Sequence, residues 1–93
     1  MELEHAIRVG AEVDRMLASE GWRLAVESVE AELVSEWKIA KTKETREEIW
    51  SRYKNLDHVK AKLKALVDGG VMATHALREN ERRAEATKKK GQV

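Results

Sequence analysis

Two stretches decide the fold: WRLAVESVEAELVSEWKIA, residues 22–40, and REEIWSRYKNLDHVKAKLKALVD, residues 46–68, with Lys41-Thr42-Lys43-Glu44-Thr45 between them. In the first, Trp22, Val26, Val29, Leu33, Trp37 and Ala40 recur every three or four residues, which puts them on one face of an α-helix. In the second, Ile49, Trp50, Tyr53, Leu56, Val59, Leu63, Leu66 and Val67 do the same. Helices that run back along each other across a short turn pair residues whose numbers add to a nearly constant value. Trp37 with Trp50 gives 87, Leu33 with Leu56 89, Val29 with Val59 88, Val26 with Leu63 89, and Trp22 with Leu66 88. This register predicts an antiparallel hairpin of helices 22–41 and 46–68, inclined by roughly 20° as in coiled-coil packing.

The boundaries follow from local signals. Lys38 and Lys41 sit where a helix dipole favours cations. Thr45 followed by Glu48 reads as a capping box that starts the next helix. Asp68-Gly69-Gly70 reads as its end, one glycine taking the left-handed position beyond the last turn.

Outside the hairpin, Leu3, Ala6, Ile7, Gly10, Val13 and Leu17 predict an N-terminal helix over 1–20. It falters at Ser19-Glu20-Gly21, and a stop and a kink are both compatible with those residues. After the glycine pair, Val71 to Leu77 carry a brief apolar stripe before the chain turns almost wholly charged. The fold class is therefore all-α: an antiparallel helical hairpin with an additional N-terminal helix and a polar C-terminal helix or tail. Residues 1–77 form one helical domain, and 78–93 a charged helical extension with a basic end.

Composition agrees, since proline is absent and Ala, Glu, Lys, Arg and Leu dominate. At 93 residues the core is small, and without cysteine neither disulfides nor thiolate metal sites can supplement it. No apolar run approaches the ~20 residues that cross a bilayer, and Met1-Glu2-Leu3-Glu4-His5 is acidic where a secretory signal is basic. The expectation is a soluble intracellular protein with no membrane partner.

The net charge of +1 conceals an asymmetry. Residues 1–36 hold nine acids against three arginines, a net −6, and the remainder holds fifteen bases and eight acids, a net +7. Antiparallel helices that neutralise each other account for this, and so do head-to-tail self-association and an anionic partner for the second half.

Catalytic machinery is not evident. Of His5, His58 and His75, only His5 has a carboxylate at Glu-x-x-His spacing, Glu2, and a carboxylate-bridged metal bundle needs that motif on paired helices. His58 lies between Lys54 and Lys62 on a charged face. Gly69-Gly70 lacks the Lys-Ser/Thr of a phosphate loop, and no nucleophile elbow or Ser/His/Asp set can be assembled. The reading is no enzyme, no metal and no cofactor.

Three tryptophans with no phenylalanine are the informative oddity. Trp22, Trp37 and Trp50, with Tyr53, are the candidate protein-interaction residues. Their stripe spacing serves equally for a core or for self-association, and both rank above a hetero-partner. Arg82, Arg83, Lys88, Lys89 and Lys90 are weaker candidates for phosphate contacts, diluted by Glu79, Glu81 and Glu85 and without an aromatic for base stacking.

The pattern Glu32-Leu33-x-x-Glu36-Trp37, Arg46-Glu47-Glu48-Ile49-Trp50, Leu56, Val59, Leu63 and Val67-x-Gly69-Gly70-x-Met72-Ala73 resembles small helical proteins of tailed bacteriophages, encoded among head, portal and DNA-packaging genes. The resemblance covers residues 20–73, departs at Glu20-Gly21 where the pattern has a proline-containing break, and carries no active residue with it. It implies a phage product in the bacterial cytoplasm or inside the virion. Three functions are ranked. The first is an interaction protein that self-associates or docks on a phage structural or assembly protein through the tryptophan-bearing hairpin. The second is a DNA-contacting packaging or regulatory factor, and the third an inhibitor of a host enzyme or defence system that uses the acidic N-terminal helix. Leu24, Ile39, Ile49, Tyr53 and Val67 lie off the seam, so a homo-oligomer is expected.

Overall fold

The computed structural model describes residues 1–91, with side chains through Lys88. It is all-α, with no strand among the described residues: α1 spans Leu3–Leu17, α2 Glu20–Ile39 and α3 Lys43–Gly91. Among them no helix is long and apolar enough to cross a membrane.

At Ser19 the chain stops rather than kinks. The Ser19 amide donates to the Met16 carbonyl at 3.0 Å, its hydroxyl donates to the same oxygen at 2.6 Å, and its Oγ accepts from the Trp22 amide at 3.2 Å. One side chain closes α1 and caps α2, whose first residue is Glu20. The turn after α2 is tighter than the sequence suggests. Ala40 donates back to the Trp37 carbonyl at 3.3 Å, and Thr42 rather than Thr45 caps α3, its Oγ1 accepting from the Thr45 amide at 3.1 Å. The expected capping box at Thr45 and Glu48 is therefore displaced by three residues, because Thr45 is already inside the first turn with its hydroxyl 2.7 Å from that of Thr42.

The largest correction is at Asp68-Gly69-Gly70. The helix does not end there, since α3 continues for 49 residues, about 73 Å at 1.5 Å per residue, and no glycine has positive φ. The segment 78–91, read as an extension, is the last part of this helix.

Two compact units emerge from the contacts: Met1–Asp14 with the chain from Ala65 on, and Arg15–Lys64. In the first, Gly10, Gly70 and Ala73 are buried, with Leu3, Ala6, Ile7 and Val13 on α1 and Leu66, Val67 and Leu77 on α3 half-buried. Backbone meets backbone there. A Cβ added to Gly10 would lie 3.0 Å from the Gly70 Cα and from the Leu66 carbonyl oxygen, and one added to Gly70 would lie 3.1 Å from the Ala6 carbonyl oxygen and the Gly10 Cα. The glycine at 70 thus serves close approach instead of chain reversal. The Thr74 hydroxyl donates to the Gly70 carbonyl at 2.9 Å, one turn back in the same helix.

In the second unit the buried cluster is Leu33, Ala40 and Ile49. Arg52 donates to Glu36 at 2.6 Å and Lys60 pairs with Glu30 at 3.6 Å, partners whose numbers fall along α3 as they rise along α2. Ile49, expected off the seam, is buried at 3% exposure, less than Leu33 or Ala40 beside it, whereas Val29 and Val59, expected in it, are exposed. Trp37 and Trp50 are not enclosed either. A gap that takes isoleucine against alanine is too narrow for two indoles, so they project beside it.

Candidate interaction surface

The site grows from that exclusion. Ile49 points into the cluster, and Trp50, the next residue on the helix, is rotated by about 100° to its flank. Tyr53 lies three residues further on the same side and stacks on Trp50, ring centres 5.6 Å apart and planes 13° from parallel. From α2, Trp37 and Val34 face them across the cluster. Together Leu33, Val34, Trp37, Ile49, Trp50 and Tyr53 line an open groove of about 220 Å³. Half of Trp50 is exposed, and Trp37 and Tyr53 are exposed to nearly the same degree. With 150–250 Å² available per aromatic, roughly 300 Å² of aromatic surface is left uncovered, within the range of functional apolar patches.

Two cations hold the aromatic faces. The Arg46 guanidinium lies 5.6 Å from the Trp37 ring centre and the Lys54 ammonium 5.5 Å from that of Trp50. Neither makes an ion pair with a carboxylate among the described residues, in contrast to Arg52 with Glu36, Lys60 with Glu30 and Lys43 with Glu47. Past the groove, the same two indoles border a second depression with Ala40, Lys41, Thr42, Lys43, Arg46 and Glu47. The polar groups of the groove's lining side chains are the Tyr53 hydroxyl and the indole N–H groups of Trp37 and Trp50. The groove can exclude water from an apolar anchor and offer cations at its rim.

Trp37, Trp50 and Tyr53 are therefore gathered at one place. Trp22 is not among them; it sits half-buried in the first turn of α2. Val34, Arg46 and Lys54 escaped the sequence reading. The legible signal was the Trp50-to-Lys54 spacing of four, whereas Val34 is hidden by following Leu33 directly.

The weaker candidates fare differently. Arg82 and Arg83 both reach Glu79, at 3.6 Å and 3.5 Å, which offsets part of their charge. Lys88 is exposed, and the side chains of Lys89 and Lys90 lie outside the described residues. His58 is exposed, and Arg8 donates to Nδ1 of exposed His5 at 2.9 Å. No group of three or more His, Cys, Asp or Glu among the described residues is arranged to hold a metal ion. Compared with known protein families, curated proteins and solved structures, the chain matches none.

Proposed function

We propose that the chain is a non-enzymatic interaction protein: an antiparallel helical hairpin, with an N-terminal helix and a charged C-terminal extension, that self-associates or docks on a structural or assembly protein through its aromatic groove. The observation that carries this reading is the exposed Trp50–Tyr53 stack facing Trp37, with Arg46 and Lys54 over its indole rings. Tryptophan, tyrosine and arginine are the residues that most often dominate binding energy, and they do so when clustered in a pocket that a partner can dry. The resemblance of residues 20–73 to tailed-phage proteins supports a phage structural protein as the partner when the occupant is not a second copy.

Sedimentation velocity on the full chain tests it. The wild type is expected to exceed the monomer mass at tens of micromolar, and Trp50→Ala to return it towards the monomer with its helical circular dichroism unchanged. A strictly monomeric wild type, whose tryptophan emission responds neither to its own concentration nor to an added phage structural protein, overturns the reading.

A further inference from the structure

On the inner stripe of α2, Leu33 and Ala40 are buried in the cluster with Ile49, and the helix carries a second stripe. Glu20, Leu24, Glu27, Ala31, Val34 and Lys38 recur at +4, +3, +4, +3 and +4, and every one of them is exposed. Leu24 at 51% and Val34 at 54% are the large apolar members of this stripe and are open to a partner helix. The repeat is a heptad: Leu24, Ala31 and Lys38 share one position, and Glu20, Glu27 and Val34 the other. It is also ordered by charge, acidic at the start and basic at the end.

Laid antiparallel on itself, the stripe matches itself. Glu20 falls opposite Lys38, Leu24 opposite Val34 and Glu27 opposite Ala31, each pair adding to 58. Like meets unlike at both ends, leucine meets valine, and the arrangement is closed by a two-fold axis, as an isologous dimer requires. A parallel pairing in register would set Glu20 on Glu20, Glu27 on Glu27 and Lys38 on Lys38. Glu27 at an interface position is tolerable because Arg23 already holds it, at 3.2 Å and 3.4 Å to its two carboxylate oxygens.

We infer that the occupant of the aromatic groove is a second copy of this chain, packed α2 against α2 in antiparallel register, with its Leu24 seated at Val34 where the groove opens. The inference rests on the groove being an interaction surface and adds what fills it and in which direction. Val34 belongs both to the outer stripe and to the groove wall, so covering one covers the other. The Glu20 of the second copy then approaches the end of α2 that carries Lys38, while its Glu27 lies near the two-fold axis opposite Ala31. Unlike charge at both ends sets the direction of the pairing, and the aromatic groove gives it apolar area.

The absence of cysteine makes the register directly measurable. Full-length Leu24→Cys and Val34→Cys chains, mixed and mildly oxidised, are expected to give mainly the mixed 24–34 disulfide. Homodimeric disulfides are disfavoured, since equivalent residues 10 positions from their partner's counterpart lie about 15 Å away, beyond the ~7 Å a disulfide spans. Charge adds a second arm: Glu20→Lys is expected to weaken the dimer about tenfold at low salt, and Glu20→Lys combined with Lys38→Glu to restore it. Predominant 24–24 and 34–34 disulfides, or random pairing, overturn the antiparallel register. If the mixed disulfide fails to form while Trp50→Ala still dissociates the oligomer, the inference falls and the groove reading stands. A wild type that remains monomeric overturns the second copy as occupant, and then only binding to another protein sustains the groove reading.

Discussion

The contact between α1 and the later part of α3, and the contact between α2 and the start of α3, solve the same problem with opposite residues. Around Gly10 and Gly70 the helices approach until a single added carbon would strike backbone, and apolar residues of both helices are half-buried beside them. Around Leu33 and Ile49 the contact is made by branched side chains against an alanine, and the large aromatic residues stand outside it. Small residues let a helix pair finish its own interface. Large ones at the flank leave apolar surface uncovered, and that is why the proposed binding surface is placed in Arg15–Lys64.

The sharpest way to break this comparison is to empty the smaller core. Ile49→Ala removes the most buried side chain of a three-residue cluster, and large-to-small core changes of this kind cost about 2–5 kcal/mol. A chain of this size has little more than that in total, so the variant is expected to be largely unfolded by circular dichroism at 37 °C. A melting temperature within a few degrees of the wild type would mean that the aromatic groove, not Ile49, holds α2 to α3.

Next in size is the glycine contact. Gly70→Ala gains about 1 kcal/mol of helix propensity but must push a methyl into the Ala6 carbonyl and the Gly10 Cα, and overpacking of rigid backbone costs about 1–3 kcal/mol. Net destabilisation is expected by urea unfolding, and larger for Gly70→Val. If Gly70→Ala raises the midpoint, the close approach is not a determinant of stability.

Trp50→Ala separates the two meanings of burial. As a core residue Trp37 or Trp50 would cost about 3–5 kcal/mol on truncation, but with half of the indole already in water a cost of about 1–2 kcal/mol is expected. The larger effect should appear in association. A stability loss equal to that of Ile49→Ala would return the tryptophans to the core and remove the groove as a binding surface.

Much of this was legible in the sequence, and the misreadings have physical causes. The helical class, a faltering at Ser19-Glu20-Gly21 and the periodic stripe of α2 came from propensity, periodicity and capping chemistry, which act within a few residues, but those signals left a stop and a kink at Ser19 equally open. The continuity of α3 did not come from them, because glycine serves equally to reverse a chain and to let another backbone approach, and only the position of Gly10 in space decides between them. Ile49 and Trp50 are neighbours in a stripe broad enough to turn either inward, and the choice is made by the width of the gap beside Ala40, a tertiary quantity. Within the groove, Trp37, Trp50 and Tyr53 could be named, but Arg46 over Trp37 joins residues of different helices and no local pattern reports it.

The smallest expected effect is also the most discriminating, because it compares two adjacent residues of one type. At Gly69 an added Cβ meets nothing within 4 Å, and the backbone is already helical. Glycine there adds flexibility to the unfolded chain and weakens the helix without serving any contact, so Gly69→Ala is expected to stabilise by about 0.5–1 kcal/mol. Gly70→Ala, one position on, is expected to destabilise. The opposite signs cannot arise from propensity, which treats the two alike, nor from a helix that ends at the pair, where alanine in a left-handed turn would be penalised. Chemical denaturation of both variants under identical conditions reads the difference directly. Equal stabilisation at both positions would show that α1 does not press on Gly70, and equal loss at both would show that α3 breaks at the glycines after all.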